Sequence, residues 1–307
     1  YAVEPLDVRG RAVMMGPVLD TILKRHAYPA PVSRLLAEAA TLVSLLGTSL
    51  KFEGRFTLQT TSDGPVSMLV VDFATPDGLR ACAQFDEDAV RQAEAEGKAD
   101  SASLLGKGHL AMTVDQGAAM NRYQGIVALD GASLEEVAHR YFAQSEQIPT
   151  VVRLAVGEVL DRREGSAPSH AWIAGGVLAQ FLPEAPERMR QPDLAPGDAP
   201  EGAEVAQHDE DDAWTEARAL VETLRDDELT DPAITAEQVL YRLFNERGVR
   251  IFEPQPLADR CRCSDERIRA MLKGFTDEER ADMTVDGRIE VTCRFCNTRY
   301  DYSADEV

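Results

Sequence analysis

The chain has 307 residues, of which 44% are hydrophobic, and a formal net charge of −21. This length and composition predict two or three folded units with a sizeable core, and the absence of an apolar run near roughly 20 residues predicts a soluble chain without a membrane span. A strongly acidic surface repels phosphate backbones, so nucleic-acid binding is disfavoured.

The first 183 residues have the pattern of an α+β domain. An apolar-periodic stretch after Pro31 predicts a long helix with a wide buried face. A capping box, Ser133 to Glu136, opens a second helix through about Glu146. The predicted strands are Arg55–Thr60, Val66–Phe73, Leu79–Phe85, His109–Val114, Tyr123–Leu129, Val151–Val159 and Ala171–Phe181. Because strands precede and follow the second helix, we predict a mixed, largely antiparallel sheet with helices packed against it.

The composition changes after residue 183. Residues 184–232 carry about −12 of the net charge, and five prolines stand among acidic residues and alanines between 183 and 200. Such a segment cannot bury enough apolar surface to offset its ordering entropy, so we expect it to be extended and mobile. Helices are predicted from Asp212 and again after Pro232. The first buries only a narrow apolar stripe, so we expect it to be marginally stable and to depend on docking.

These changes divide the chain into three expected units. They are an N-terminal core domain over residues 1–183, an acidic Pro-rich and helical linker over 184–235, and a C-terminal cysteine-containing domain over 236–307. In the last unit we predict a short helix around Ile268–Leu272 and a capping box from Thr276 to Glu279. An Asp286-Gly287 turn then leads into a strand.

Four of the five cysteines form two close pairs, Cys261-Arg-Cys263 and Cys293-Arg-Phe-Cys296, separated by 29 residues. No basic-then-apolar secretory pattern is present, so we expect a cytoplasmic protein whose paired cysteines are metal ligands or redox sensors. Four thiolates can close one tetrahedral zinc site, and the same pairs can be oxidised to two short-range disulfides. Nearby cations lower thiol pKa values and favour both reactions. The candidate cations are Arg260, Arg262, Arg267, Arg294 and Arg299.

The spacing does not decide between a structural zinc staple and a redox switch. An enzyme is one alternative, a thiol-disulfide oxidoreductase using Cys293 and Cys296, but the motif lies outside a βαβ pattern. A zinc-ribbon nucleic-acid-binding protein is another, which the charge opposes. No nucleophile–base arrangement stands out, so we predict no catalytic residues and no enzyme. We interpret Cys82 as a structural cysteine.

Short motifs occur in order along nearly the whole chain. They are Val8-Arg9-Gly10, Thr48–Gly54, Asp63-Gly64-Pro65, Arg122–Gly125, Tyr141–Pro149, Glu237–Leu243 and Phe252-Glu-Pro-Gln255. Together with the cysteine spacing, these motifs resemble the redox-regulated heat-shock chaperone family, the 33 kDa chaperonins (heat shock protein 33). The chain departs from that pattern mainly in the Pro-rich stretch 183–204, which is longer than usual.

This resemblance implies a stress-response chaperone that holds unfolding client proteins without ATP. In the family the reduced, zinc-bound form is inactive, and oxidation releases zinc and unfolds the zinc module and the adjacent linker. Carried over, the ligands of one zinc ion are Cys261, Cys263, Cys293 and Cys296, and the redox disulfides are Cys261–Cys263 and Cys293–Cys296. The resemblance also implies a homodimer when oxidised.

Overall fold

The computed structural model describes residues 1–49, 53–117, 122–161, 169–183 and 211–306. The expected extended segment after residue 183 lies almost wholly outside the described residues. The helices are α1 (Pro17–Lys24), α2 (Ala30–Gly47), α3 (Glu87–Ala95), α4 (Ser101–Leu105), α5 (Leu134–Tyr141), α6 (Asp212–Glu222), α7 (Asp226–Thr230), α8 (Ala236–Phe244), α9 (Asp265–Leu272) and α10 (Asp277–Met283). The strands are β1 (Ala2–Val3), β2 (Val8–Met15), β3 (Arg55–Ser62), β4 (Met68–Ala74), β5 (Gly78–Gln84), β6 (Gly108–Asp115), β7 (Tyr123–Ala128), β8 (Thr150–Asp161), β9 (Ser169–Phe181), β10 (Ala258–Asp259), β11 (Arg288–Thr292) and β12 (Arg299–Ser303).

The described strands form three sheets. One has the order β1-β2-β9-β8, a second has the order β10-β5-β4-β3-β6-β7, and β11 pairs with β12. All pairings are antiparallel except that of β10 with β5. The predicted α+β class is confirmed, and the N-terminal strands belong to two sheets where the sequence suggested one.

Helix α2 separates the two large sheets and contacts strands of both. Its length and composition would suit a membrane span, but 83% of it is buried inside the protein, as expected for a core helix. The buried hydroxyls of Thr41 and Ser44 donate to the carbonyl oxygens of Ala37 and Ala40, one turn earlier, so both hydroxyls are paired within the core. The uniform apolarity of α2 therefore follows from its burial on several sides.

Helices α6, α7 and α8 cover the other face of the four-stranded sheet. The predicted apolar stripe of α6 packs against the sheet. Its residues Trp214, Ala217 and Val221 are buried in a second core with Val177 and Phe181 of β9. Val239, Leu240 and Phe244 of α8 are buried in the same core. The four-stranded sheet is thus buried on both faces, by α2 on one side and by α6–α8 on the other.

Two adjacent glycines of β9 permit this double packing. A Cβ at Gly175 would overlap the carbonyl oxygen of Leu229 in α7, and a Cβ at Gly176 would lie 2.9 Å from the Thr41 side chain of α2. Backbone atoms cannot yield as a flexible side chain can. The glycine pair therefore sets the distance at which helices approach both faces of the sheet.

We expect Gly175→Ala to loosen α7 and its neighbours from the sheet. Overpacking of this kind costs about 1–3 kcal/mol, and here it falls on the contact with a helix of only five residues. Hydrogen exchange in residues 212–244 should rise well above that of the unaltered protein. Gly157→Ala is the matched control, since its Cβ would meet only the Thr230 side chain at 3.1 Å. Equal exchange in both variants would contradict the assigned role of Gly175.

The C-terminal cysteine module consists of α9, α10 and the β11–β12 hairpin. The capping box from Thr276 to Glu279 is confirmed, and Asp286 and Gly287 both have positive φ, as a tight hairpin turn requires. Three residues of the module, Leu272, Ile289 and Tyr302, are buried in its apolar core, and the partly buried Ile268, Val291 and Tyr300 pack against them. So small a core gives little stability by itself.

Candidate metal centre

The four C-terminal cysteines converge at one point of the module. Cys261 and Cys263 follow β10, and Cys293 and Cys296 lie in the turn between β11 and β12. Their sulfur atoms all lie within 4.8 Å of one another. The Sγ–Sγ distances are 3.4 Å from Cys261 to Cys263, 3.6 Å from Cys261 to Cys293 and 3.3 Å from Cys263 to Cys296.

This arrangement fits a tetrahedral thiolate site. Zinc–sulfur bonds of about 2.3 Å in tetrahedral geometry place the sulfurs about 3.8 Å apart, close to the observed separations. Soft thiolate donors suit zinc and several other thiophilic metals, so the donor set alone does not select the metal. The distances also do not single out the predicted disulfide pairs, because Cys261 and Cys263 each lie near a partner from the other pair.

Hydrogen bonds make the sulfurs unequal. Burial works to raise the pKa of the Cys296 thiol, but hydrogen bonds from Thr298 and the neighbouring thiols outweigh it and bring the pKa to about 6. Burial raises the pKa of Cys263 to about 12, partly opposed by the Tyr300 hydroxyl, which donates to its sulfur at 3.2 Å. Burial likewise raises the pKa of Cys293. The Cys296 thiolate is thus favoured over those of Cys263 and Cys293.

Four of the five arginines named from the sequence have partners other than the thiols in the structure. Arg260 pairs with Asp77 at 2.8 Å, Arg267 donates to the carbonyl oxygen of Arg262 at 2.6 Å, and Arg294 donates to Gln84 at 3.3 Å. Arg299 pairs with Glu290.

A cation that the sequence did not reveal is Arg25, at the end of α1. Its pKa is raised first by the hydrogen bond to Asp259 and further by the thiols of Cys296 and Cys261. Arg25 and Asp259 are 234 positions apart in the chain, so no local sequence pattern predicts that they pair.

The cysteine module is docked on the N-terminal domain through several polar and aromatic contacts. The Arg80 guanidinium of β5 lies 3.9 Å from the centre of the Phe295 ring, so Phe295 packs across the interface between the module and the N-terminal domain. The His26 ring nitrogen lies 3.1 Å from the Phe295 carbonyl oxygen. Asn297 donates to the carbonyl oxygen of Arg25 at 2.9 Å. Together these contacts hold the cysteine loop against α1 and β5.

Cys82 lies on β5, outside the cluster. It is 4% exposed, and burial, the largest effect, raises its pKa to about 11. A buried thiol with a raised pKa is unreactive, in keeping with the predicted structural role.

The Cys-x-x-Cys motif lies in a hairpin turn rather than at the start of a helix. In oxidoreductases of the thioredoxin type, a Cys-x-x-Cys motif has its thiol pKa lowered at a helix N-terminus. Here Cys293 and Cys296 occupy a hairpin turn closed by the Cys293 N–H to Thr298 carbonyl hydrogen bond at 2.9 Å. This geometry favours metal binding over disulfide exchange.

Comparison with known proteins gives a consistent result. A family model described as Hsp33 protein matches residues 1–303. A 33 kDa chaperonin of Caulobacter vibrioides is 44% identical over 303 residues, which cover 98% of this chain and 92% of the relative. That of an Enterobacter species is 34% identical over 310 residues, covering 100% and 92%. The crystal structure of the 33 kDa chaperonin from Thermotoga maritima has the same fold, with a TM-score of 0.72 at 23% identity and coverage of 98% and 92%.

The resemblance drawn from the sequence motifs is thereby confirmed over nearly the whole chain. It also decides against the oxidoreductase alternative, because the matched family consists of chaperones and not of enzymes. The chain belongs to the Hsp33 family of 33 kDa chaperonins.

Proposed function

We propose that this chain is a redox-regulated holdase that binds unfolding proteins without ATP, and that its reduced, metal-bound form is inactive. The observation that carries this proposal is the position of the thiol cluster. The four sulfurs converge in a module with a three-residue core, and that module is docked on the N-terminal domain. Loss of the cluster should therefore undo both the module and its docking.

We infer that the metal is zinc, held by the four C-terminal cysteines. Zinc contributes on the order of 10–16 kcal/mol to the folding of small cysteine modules, which is more than a core of three residues can supply. The hairpin turn and the hydroxyls of Tyr300 and Thr298 hold the sulfurs of Cys263 and Cys296 in place for it.

We propose that oxidation forms the disulfides Cys261–Cys263 and Cys293–Cys296. With hydrogen peroxide, two thiols give up two electrons and two protons, one S–S bond forms, and the peroxide is reduced to two water molecules. Each disulfide removes two metal-binding thiolates. The second disulfide leaves no thiolate to hold the metal, so the module should lose most of its stability.

Contacts with β1 and β8 tie the segment that runs from α6 to the module to the N-terminal domain. Arg250, between α8 and the module, pairs by two backbone hydrogen bonds of 2.8 and 2.9 Å with Ala2 of β1. On β8, Arg153 donates to the Leu224 carbonyl oxygen at 3.3 Å and pairs with Asp226 at 3.1 Å. We propose that unfolding of the module loosens this region, so that α6–α8 leave the sheet and expose apolar surface to clients.

The remaining expectations belong to the same proposal. The partners are unfolding client proteins, with a homodimer forming on oxidation, and no nucleic acid or membrane is involved. The location is the cytoplasm. The division at residues 183 and 235 stays a prediction, with α8 packed in the same core as α6.

The deciding experiment treats zinc-loaded protein with peroxide at mild heat. Zinc release, free thiols and suppression of citrate synthase aggregation are measured together, in the absence of ATP. We expect one zinc per chain to leave, four thiols to disappear and aggregation to be suppressed only after oxidation. A Cys82→Ser variant should behave in the same way, which separates the cluster from the fifth cysteine.

Two outcomes would count against the proposal. If zinc leaves and disulfides form without suppression of aggregation, the cluster binds metal but does not control a chaperone. If the reduced protein already suppresses aggregation fully, the cluster is a structural staple.

A further inference from the structure

The six-stranded sheet has one edge that is covered by its own chain. Strand β5 would be the edge strand but for β10, a two-residue strand just before the first cysteine pair. The pairing is parallel, with Ala258 opposite Gly78 and Asp259 opposite Leu79. The Ala258 N–H donates to the Asp77 carbonyl oxygen at 2.8 Å, and the Arg260 N–H donates to that of Leu79 at 3.1 Å. This edge of the sheet therefore already pairs with a strand of the same chain, β10.

The rest of the edge has a different cover. The Ala83 N–H donates to the Tyr28 hydroxyl oxygen at 3.1 Å, and Arg294 of the module contacts Gln84. By strand alternation, the backbone groups of Leu79, Ala81 and Ala83 point away from β4, and we name these groups the β5 edge.

The sequence of β5 has little of the usual protection of an exposed edge, because its one charged residue, Arg80, is paired with Asp72 of β4. Gly-Leu-Arg-Ala-Cys-Ala-Gln contains no proline and no lysine, and it pairs with β4 in continuous register over all seven residues. Natural edge strands are normally protected by such residues, by bulges, or by a covering segment. Here the cover over Asp77 and Leu79 is residues 258–260, which the proposed function releases together with the cysteine module on oxidation, while Tyr28 of the N-terminal domain keeps its contact with Ala83.

We propose that the β5 edge is a binding site for extended segments of unfolding polypeptides, blocked in the reduced protein by residues 258–260 of its own chain. This inference rests on the proposed function, because the site opens only when the module leaves. Addition of a strand uses main-chain hydrogen bonds, which every unfolded chain can offer regardless of its sequence.

The contacts of the docked module show which side chains would add affinity. Asp259 pairs with Arg25, and the Phe295 ring lies on Arg80. Departure of the module frees Arg25 and uncovers the face of the Arg80 guanidinium, which stays paired with Asp72 of β4. A client segment with a carboxylate and an aromatic residue near its paired backbone would replace both contacts.

A photo-crosslinking probe at Gln84 tests this site. Gln84 is exposed at the end of β5, so p-benzoylphenylalanine in its place should leave the fold intact. In the reduced protein we expect crosslinks within the chain, to the module near Arg294. After oxidation we expect crosslinks to unfolding citrate synthase. The matched control is the same probe at Gln124 on β7, the opposite edge of this sheet, which the module does not cover.

The outcomes separate this inference from the proposed function. Suppression of aggregation is measured on the same oxidised samples. If the protein suppresses aggregation but Gln84 crosslinks no better than Gln124, or crosslinks only to a second copy of this chain, the β5 edge is not the client site. If aggregation is not suppressed at all, the proposed function itself fails.

A peptide competitor supplies a second test. Residues 255–262 with Cys261→Ser should bind the oxidised protein and reduce the Gln84 crosslink to client. The control peptide is N-methylated at Ala258 and Arg260, which removes the two N–H donors and leaves the side chains unchanged. Loss of two backbone hydrogen bonds should weaken competition about tenfold. Equal competition by both peptides would overturn strand addition as the mode of binding.

Discussion

Cys263→Ser should abolish stable zinc binding and unfold the C-terminal module while the N-terminal domain stays folded. Cys263 lies 3.4 Å from Cys261 and 3.3 Å from Cys296, so its loss removes a central member of the cluster. The variant should lose most of the free energy that zinc contributes to folding of the module, which is on the order of 10–16 kcal/mol for comparable modules. The three-residue core cannot replace it.

The measurement is zinc content together with hydrogen exchange by peptide. We expect less than stoichiometric zinc and nearly complete exchange of α9, α10, β11 and β12. Helix α2, buried between the two sheets, should remain protected. Cys82→Ser is the matched control, because it removes a thiol outside the cluster and should retain zinc and module protection. A Cys263→Ser protein with a protected module would show that the module folds without its metal.

The same variant should also show activity without oxidant. If loss of the metal is what releases α6–α8, then an unfolded module should expose the client-binding surface even under reducing conditions. Gly175→Ala should also raise the activity without oxidant, because it weakens the contact of α7 with the sheet while zinc remains bound. Agreement between the two variants would show that release of α6–α8 links the loss of zinc to exposure of the client surface.

Features with local causes were predictable from the sequence. The apolar run of α2, the capping boxes at Ser133 and Thr276 and the Asp286-Gly287 turn each depend on residues a few positions apart, and each is present. The four cysteines also converge, because a common metal is the simplest use of two close pairs.

Features that depend on distant pairing were not predictable in the same way. Nothing near Arg25 indicates Asp259 as its partner, and nothing near Arg80 indicates the Phe295 ring. The separation of the strands into two sheets depends on where α2 packs, and period-two alternation does not specify partners. The role of Gly175 became clear only with the Leu229 backbone against it.

Cys82 should change from an unreactive thiol to a reactive one when the module leaves. It lies on the same face of β5 as Arg80 and Gln84, which contact Phe295 and Arg294 of the module. In the docked state it is buried and its pKa is about 11. Exposure should return the pKa to roughly 8.5–9, and the thiolate fraction at pH 8 should rise by on the order of a hundredfold.

The rate of alkylation by iodoacetamide at pH 8 measures this change. In the oxidised protein the other four cysteines are expected as disulfides, so Cys82 should be the one thiol that reacts, and mass spectrometry of its peptide verifies the site. The sign is set by the pKa, because a thiol with its pKa raised to about 11 is almost wholly protonated at pH 8, whereas an exposed one is partly ionised. Reduced, zinc-loaded protein supplies the slow reference rate. If zinc leaves and the Cys82 rate stays at that reference, the face of β5 remains covered after oxidation, and opening of the β5 edge to clients is contradicted with it.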